Sequence, residues 1–313
     1  IAAHYGYDKE GIWSGVPQLT VQVRGKKVFD PRDNTQTFGT VSTYKYSDNP
    51  ALTFLDYISN NEYGKGLTAT QLNMSTFSSA ANVCDTLVDQ PYFNGSAVNT
   101  TFSATSGDDF FSIEGTFKNN AWWQNKIGEL LDLFDANGNG VLEAVLSSMA
   151  GKMSYVNGQF TLFAGASQTP SLTITDDELL APVSISTNSS SGELYNSVKP
   201  IYVDRSLDYQ STDAEVYQDS TFLNADTPSG ESTANYVKQM ETQLPFTVTD
   251  TMAQRLGRIA LKSQRQTTSL SCLVSLKYMR LQPTDWVYLT NARMSYSQKV
   301  FEVISTNMQV ISD

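Results

Sequence analysis

Val141-Leu142-Glu143-Ala144-Val145-Leu146-Ser147-Ser148-Met149-Ala150-Gly151-Lys152-Met153-Ser154-Tyr155-Val156-Asn157-Gly158-Gln159-Phe160-Thr161-Leu162-Phe163-Ala164 changes its hydrophobic period part-way along. Before Gly151, the apolar residues Leu142, Val145, Leu146 and Met149 recur at the spacing of one helix face, and the glycine ends the stripe. After it the period drops to two. Asn157-Gly158 is a two-residue turn pair, because both positions tolerate positive φ. It sets Tyr155 opposite Phe160 and Met153 opposite Leu162 on one face of a hairpin. A helix leading directly into an antiparallel hairpin points to an α+β chain rather than a helix bundle.

Toward the N-terminus the helical period continues. Asp48 or Asn49 can cap, Pro50 suits the first helical position, and Ala51, Phe54, Leu55 and Ile58 form one face, closed by Gly64 and Gly66. Phe77, Ala80, Ala81 and Cys84 repeat the spacing, with Ser75 or Thr76 as the expected cap. Residues 91–110 are a polar excursion, and Trp123, Ile127, Leu130, Leu131 and Phe134 form a longer stripe. Residues 1–44 read as β: Leu19, Val21 and Val23 alternate with Thr20, Gln22 and Arg24, and Val28-Phe29 runs into Asp30-Pro31.

Toward the C-terminus, the Ser-rich stretch 184–193 marks a boundary. Strands are expected at Val198 to Val203, Glu215 to Tyr217, Leu270 to Tyr278, Trp286 to Leu289, Val300 to Ile304 and Met308 to Ile311. A polar loop covers 224–235, and a helix covers 250–264 with Met252, Leu256, Ile259 and Ala260 on its apolar side. The expected fold is α+β, with antiparallel β-barrel or sandwich domains combined with an α/β domain. Residues 1–44 end a first β domain, 45–183 form the α/β domain, and 184–313 form a second β-barrel domain with one inserted helix.

Composition narrows the function. Across 313 residues, 21 Lys+Arg against 32 Asp+Glu leave a net charge of −11, which repels phosphates and argues against specific nucleic-acid binding. The one histidine, His4, argues against Ser-His or Cys-His catalysis in the body of the fold. Two cysteines, Cys84 and Cys272, make no disulfide framework and read as small buried hydrophobes. No run of ~18 apolar residues exists to span a membrane. The chain starts at Ile1 without a signal-peptide pattern, which reads as a fragment or a processed product.

Three features could carry chemistry. Asp135, Asn137 and Asn139, with Gly140 at the bend, match the first half of a calcium loop, and Glu143 adds an oxygen. Leu146, however, stands where a bidentate glutamate is required, so Ca²⁺ competes with a plain polar connector. Arg255, Arg258, Lys262 and Arg265 form a basic stripe beside an apolar helical face, either solvated or in contact with an acidic neighbouring subunit. Trp122-Trp123 offers a sugar-stacking platform or a core position. No phosphate-binding glycine loop and no spaced carboxylate pair point to an enzyme. A carbohydrate-binding adhesin and a cell-wall hydrolase are the alternatives to a structural role.

One extended pattern goes further. Val23-Arg24-Gly25-Lys26-Lys27-Val28-Phe29-Asp30-Pro31-Arg32 is followed by Tyr46-Ser47-Asp48-Asn49-Pro50-Ala51-Leu52 and a short helix. Glu62-Tyr63-Gly64-Lys65-Gly66 and Ser78-Ser79-Ala80-Ala81-Asn82-Val83-Cys84-Asp85 come next. In this order the pieces resemble the central, baseplate-hub-like region of phage tail-tip hub proteins, the tip attachment protein J family. The Leu142–Met149 helix with its hairpin, Leu194-Tyr195-Asn196-Ser197-Val198, Leu244-Pro245 with Ala253-Gln254-Arg255-Leu256, and Asp285-Trp286-Val287 extend the resemblance over most of the chain. The family pattern has Gly before that Asp, where this chain has Thr284. The resemblance implies a non-enzymatic structural hub at the virion tail tip, assembled in the bacterial cytoplasm. It implies a homotrimeric ring that joins the tail tube to distal-tail, tip and host-attachment parts and lets DNA pass. A host receptor would be reached through regions beyond this chain. The acidic balance would then keep DNA from sticking to the conduit wall.

Overall fold

The computed structural model describes residues 25–88, 108–113, 140–186, 194–207 and 209–307. The expected strand at Leu19–Arg24, most of the 91–110 excursion, the Trp123–Phe134 stripe and the Met308–Ile311 strand lie outside the described residues. Helix α1, Pro50–Ser59, forms where its cap and stripe predict. Asn49 Oδ1 accepts from the Ala51 and Leu52 amides, and Ala51, Phe54, Leu55 and Ile58 are all buried. Helix α2, Met74–Cys84, starts directly after Asn73, not at a Ser75 or Thr76 cap. Thr76 Oγ1 donates to the Asn73 carbonyl and accepts from the Leu162 amide at 3.2 Å, so it ties the hairpin to the first turn of the helix. Phe77, Ala80, Ala81 and Cys84 are buried as expected, and the Phe54 and Phe77 rings stack at 6.4 Å.

Strands β1, Leu87–Val88, and β2, Asp108–Asp109, pair antiparallel. Helix α3, Val141–Ser147, then leads into β3, Lys152–Val156, and β4, Gln159–Phe163. Their register is the one the turn predicts: Tyr155 faces Phe160 and Met153 faces Leu162. Asn157 at φ 52° and Gly158 at φ 82° make the turn, a conformation few other residue pairs adopt without strain.

The rest of the chain alternates short strands and helices. They are β5 (Leu172–Thr175), β6 (Ser184–Ser186), β7 (Ser197–Asp204), β8 (Gln210–Asp213), β9 (Tyr217–Gln218) and α4 (Ser220–Asp226). After them come β10 (Gln239–Leu244), α5 (Asp250–Gln264), β11 (Ser269–Ser271), β12 (Trp286–Asn291) and β13 (Tyr296–Glu302). Strand β7 is central to one sheet, parallel to β10 and antiparallel to β8 and β9. Strand β12 is central to another, parallel to β5 and antiparallel to β13, while β6 and β11 form a separate pair. The fold is therefore mixed α+β, but the expected barrel is not there: among the described residues these sheets stay small and open.

Two local expectations also change. The expected strand from Leu270 to Tyr278 is interrupted. Strand β6 offers only three residues to pair with, Val274 makes a single bridge to Leu179, and Leu276–Tyr278 is a 3-10 turn. That turn aims the Tyr278 hydroxyl at the Thr173 carbonyl and the Glu178 carboxylate. In the described part of residues 1–44, the expected β structure reduces to a bridge between Val28 and Lys45.

One apolar core joins α1, α2, α3 and the hairpin to Tyr202, Leu244, Met252 and Leu256 on the far side. A second, smaller core of Ile174, Tyr278, Leu281, Val287 and Leu289 fills the β5–β12–β13 region.

Candidate functional site

Helix α5 packs along β7. Gly257 allows this, because a Cβ there would stand 2.6 Å from Pro200 Cγ. Met252, Ala253 and Leu256 face the core, whereas Ile259 and Ala260, one turn further on, are half-buried and open onto a cleft.

The four basic residues of this helix have different surroundings. Arg255 is turned inward, 9% exposed, and donates to the Phe110 carbonyl at 3.2 Å, with its guanidinium 5.6 Å from the Phe110 ring. Arg258 lies 5.8 Å above the Tyr217 ring. Arg265 grips Asp226 with both ends of its guanidinium, at 2.9 and 3.0 Å, and stacks 4.7 Å from Phe222. Burial pushes the Asp226 carboxyl up, but Arg265 and Asn196 outweigh it and hold the group below the usual carboxylate range. Lys262 is exposed and makes no ion pair among the described residues.

The cleft beside α5 is open to solvent and has a volume of about 490 Å³. Leu256, Ile259 and Ala260 form one wall, Phe163 and Ala164 at the end of β4 a second, and Trp286 at the start of β12 a third. Lys152 and Glu302, an ion pair at 2.6 Å, tie the hairpin to β13 across its rim. Two lining residues, Thr242 of β10 and Thr284, carry buried hydroxyls that have no hydrogen-bond partner among the described residues. Thr284 is 8% exposed and sits at φ 81°. It follows Pro283 in a turn closed by the Asp285 amide on the Gln282 carbonyl, which is the position of a type II turn that favours glycine. The residue that stands before Asp285 in place of a glycine is thus a strained, nearly buried threonine.

Asp135, Asn137, Asn139, Trp122 and Trp123 lie outside the described residues. Glu143 is exposed in the first turn of α3. No group of three or more His, Cys, Asp or Glu side chains suited to a metal occurs among the described residues. Cys84 is buried, and burial pushes its thiol up to about 12. Cys272 is half-buried and is raised for the same reason, so both stay protonated at neutral pH. Among the described residues no helix is long and apolar enough to cross a membrane.

A family model described as "Putative phage tail protein" matches residues 137–304, more than half of the chain. The chain belongs to this phage tail protein family. The matched segment runs from α3 to β13, so α5 and every residue named in the cleft wall belong to the shared tail-protein region. Baseplate hub protein pb3 of Escherichia phage T5 is 22% identical over 297 residues, which is 92% of this chain. The chain spans 28% of that relative's length. Among solved structures, the virion of a native gene transfer agent particle is similar at a TM-score of 0.43, with 14% identity, 55% of this chain covered and 37% of that one. A tail protein from Neisseria meningitidis MC58 is similar at 0.36, with 12% identity, 64% of this chain covered and 53% of that one.

The cleft of this tail protein escapes sequence reasoning because its walls come from segments far apart in the chain. Two signals existed: the missing glycine before Asp285, and Ile259-Ala260 placed just beyond the core-facing residues of their helix.

Proposed function

We propose that this tail protein is a structural hub at the tail tip. Copies form a trimeric ring joining the tail tube to distal and host-attachment parts, and DNA passes through the ring. The observation that carries the reading is the alignment with a baseplate hub protein over 92% of this chain, well beyond the segment that the family model matches. Open sheets and exposed apolar side chains such as Leu180, Leu276, Met279 and Ile304 suit a part that buries surface only on assembly. The net charge of −11 suits a conduit that must not retain phosphates. On the same reading, the basic contact with a neighbouring subunit narrows to Lys262 and Arg258, since Arg255 and Arg265 are engaged within the chain.

A three-fold-averaged image of the assembled tail tip tests this. The expected result is density for residues 25–307 repeated around the tail axis. Density at the tail periphery, away from any axial ring, would overturn it. Lysine substitution of the carboxylates facing the lumen should slow DNA release, and unchanged ejection kinetics would remove the conduit argument.

A further inference from the structure

The described residues divide into two bodies. The first, from 25–166 and 194–265, is built on the larger core, which includes Phe54, Phe77, Leu162 and Leu256. The second, from 171–186 and 269–304, is built on the smaller core of Ile174, Tyr278, Leu281, Val287 and Leu289. The two cores share no residue, and the extensive pairings, such as β7 with α5 or β12 with β13, stay inside one body. Among the described residues, one polar contact joins the bodies: Lys152 Nζ donates to both Glu302 carboxylate oxygens, at 2.7 and 2.6 Å.

Two described stretches carry the chain across, 167–170 before β5 and 266–268 before β11, and both are irregular. No main-chain carbonyl among the described residues accepts from the amides of Ser167, Gln168 or Thr169, and Pro170 has no amide to donate. A third crossing, 187–193, lies outside the described residues. Ser167, Gln168 and Gln266 border the same cleft, which has Phe163 and Ile259 of the first body on one side and Trp286 of the second on the other. The cleft is therefore the gap between the bodies, and its crossings run along it. Two units fixed to each other need a large apolar interface, and here an open cleft takes its place. An exposed ion pair shifts an equilibrium by about fivefold at most, so it biases such an arrangement without locking it.

We propose that the two bodies are hinged at 167–170 and 266–268, and that Lys152 and Glu302 form the latch that biases the hinge toward its closed arrangement. When the latch parts, β3 moves away from β13 and the cleft widens between Phe163 and Trp286. The rest of each body moves as a unit, because its core is complete without the other. The inference goes beyond the hub reading and does not rest on it.

The test is a pulsed electron-spin distance measurement on the whole chain. Spin labels are attached through Glu62→Cys and Ser297→Cys, exposed positions on the first and the second body. Cys272→Ser removes the half-buried native thiol, and Cys84 is buried out of reach of the label. The chain with its latch intact should give one dominant distance and a minor second one. Lys152→Glu and Glu302→Lys should each raise the second population about fivefold. The double variant carrying both should return to the distribution of the intact latch, because the swapped charges attract again. At about 1 M salt, where charges are screened within ~3 Å, the intact chain and the single variants should converge. Unchanged near-ultraviolet circular dichroism serves as the folding control for each variant. One narrow distance common to all the chains would overturn the hinge. A distribution equally broad in all of them, or a double variant that behaves like the single ones, would overturn the latch.

Discussion

Replacing Thr284 with glycine should stabilise this protein, against the usual effect of inserting glycine. The backbone at φ 81° is unfavourable for any L-residue and worst for a β-branched one, a strain of about 1–3 kcal/mol. The Thr284 hydroxyl is buried without a partner among the described residues, a further cost of about 1–3 kcal/mol. Against these stand the greater unfolded-state freedom of glycine, about 0.5–1 kcal/mol, and the loss of two buried carbons, Cβ and the methyl, about 1.6 kcal/mol. The balance is a gain on the order of 1–3 kcal/mol. Equilibrium urea denaturation followed by tryptophan fluorescence measures it, at unchanged slope. Thr284→Ala separates the two causes, because it removes the hydroxyl but keeps a Cβ at positive φ, and it should gain less than the glycine variant. A glycine variant no more stable than wild type, or an alanine variant equal to it, would refute the strain argument.

Asn49→Ala should cost about 2–3 kcal/mol, since Asn49 caps α1 and also bonds the Ala81 carbonyl at 2.9 Å in the core; a denaturation midpoint shift reports it. Gly257→Ala should destabilise by about 1–3 kcal/mol despite the better helix propensity of alanine, because the new Cβ meets the rigid Pro200 ring; urea unfolding decides the sign. Arg265→Ala should cost about 2–4 kcal/mol at pH 7, since it leaves Asp226 charged and largely buried. The folded Asp226 carboxyl is held below its unfolded value of about 3.9. Its contribution is therefore present above that pH and is lost as the pH falls through the depressed value. The deficit of the Arg265→Ala variant should accordingly shrink in unfolding series taken from pH 7 toward pH 3, and a deficit that grows would contradict the sign.

The elements legible in the sequence are those whose signal is complete within a few residues. The Asn49-Pro50 start of α1, the register of β3 and β4 and the bounds of α5 all rest on local caps, turns and periods. Helix α2 starts two to three residues before the Ser75 or Thr76 cap implies, with Thr76, a plausible cap in isolation, engaged instead by the Leu162 amide from a distant strand. The Leu270–Tyr278 alternation misled for a related reason: a strand needs a partner, and β6 supplies only three residues of one. Parallel pairings such as β10 with β7 and β12 with β5 leave no trace in any single window, and so a barrel was expected where small open sheets occur. For the basic residues of α5 the sequence showed the stripe but not its division, because Phe110 and Asp226 reach Arg255 and Arg265 from other parts of the chain.

That division bears on function. A helix that used all four cations on its own fold would have no charge left for a partner, and one that used none would gain little from them. Here Arg255 and Arg265 are engaged within the chain and Arg258 lies over the Tyr217 ring, whereas Lys262 remains beside an apolar cleft and a strained threonine. A residue that breaks its local rule without a compensating contact inside the chain marks a place where the compensation comes from outside. Thr284 is such a residue, in the wall of an open cleft. Exposed apolar side chains elsewhere on the chain allow the general point to be tested: Leu180 is 61% exposed and Met279 71%. If self-association depends on exposed apolar area alone, serine at either position should weaken it in proportion to that area. A large effect at one position and none at the other would show that a specific contact, not area, holds the copies together.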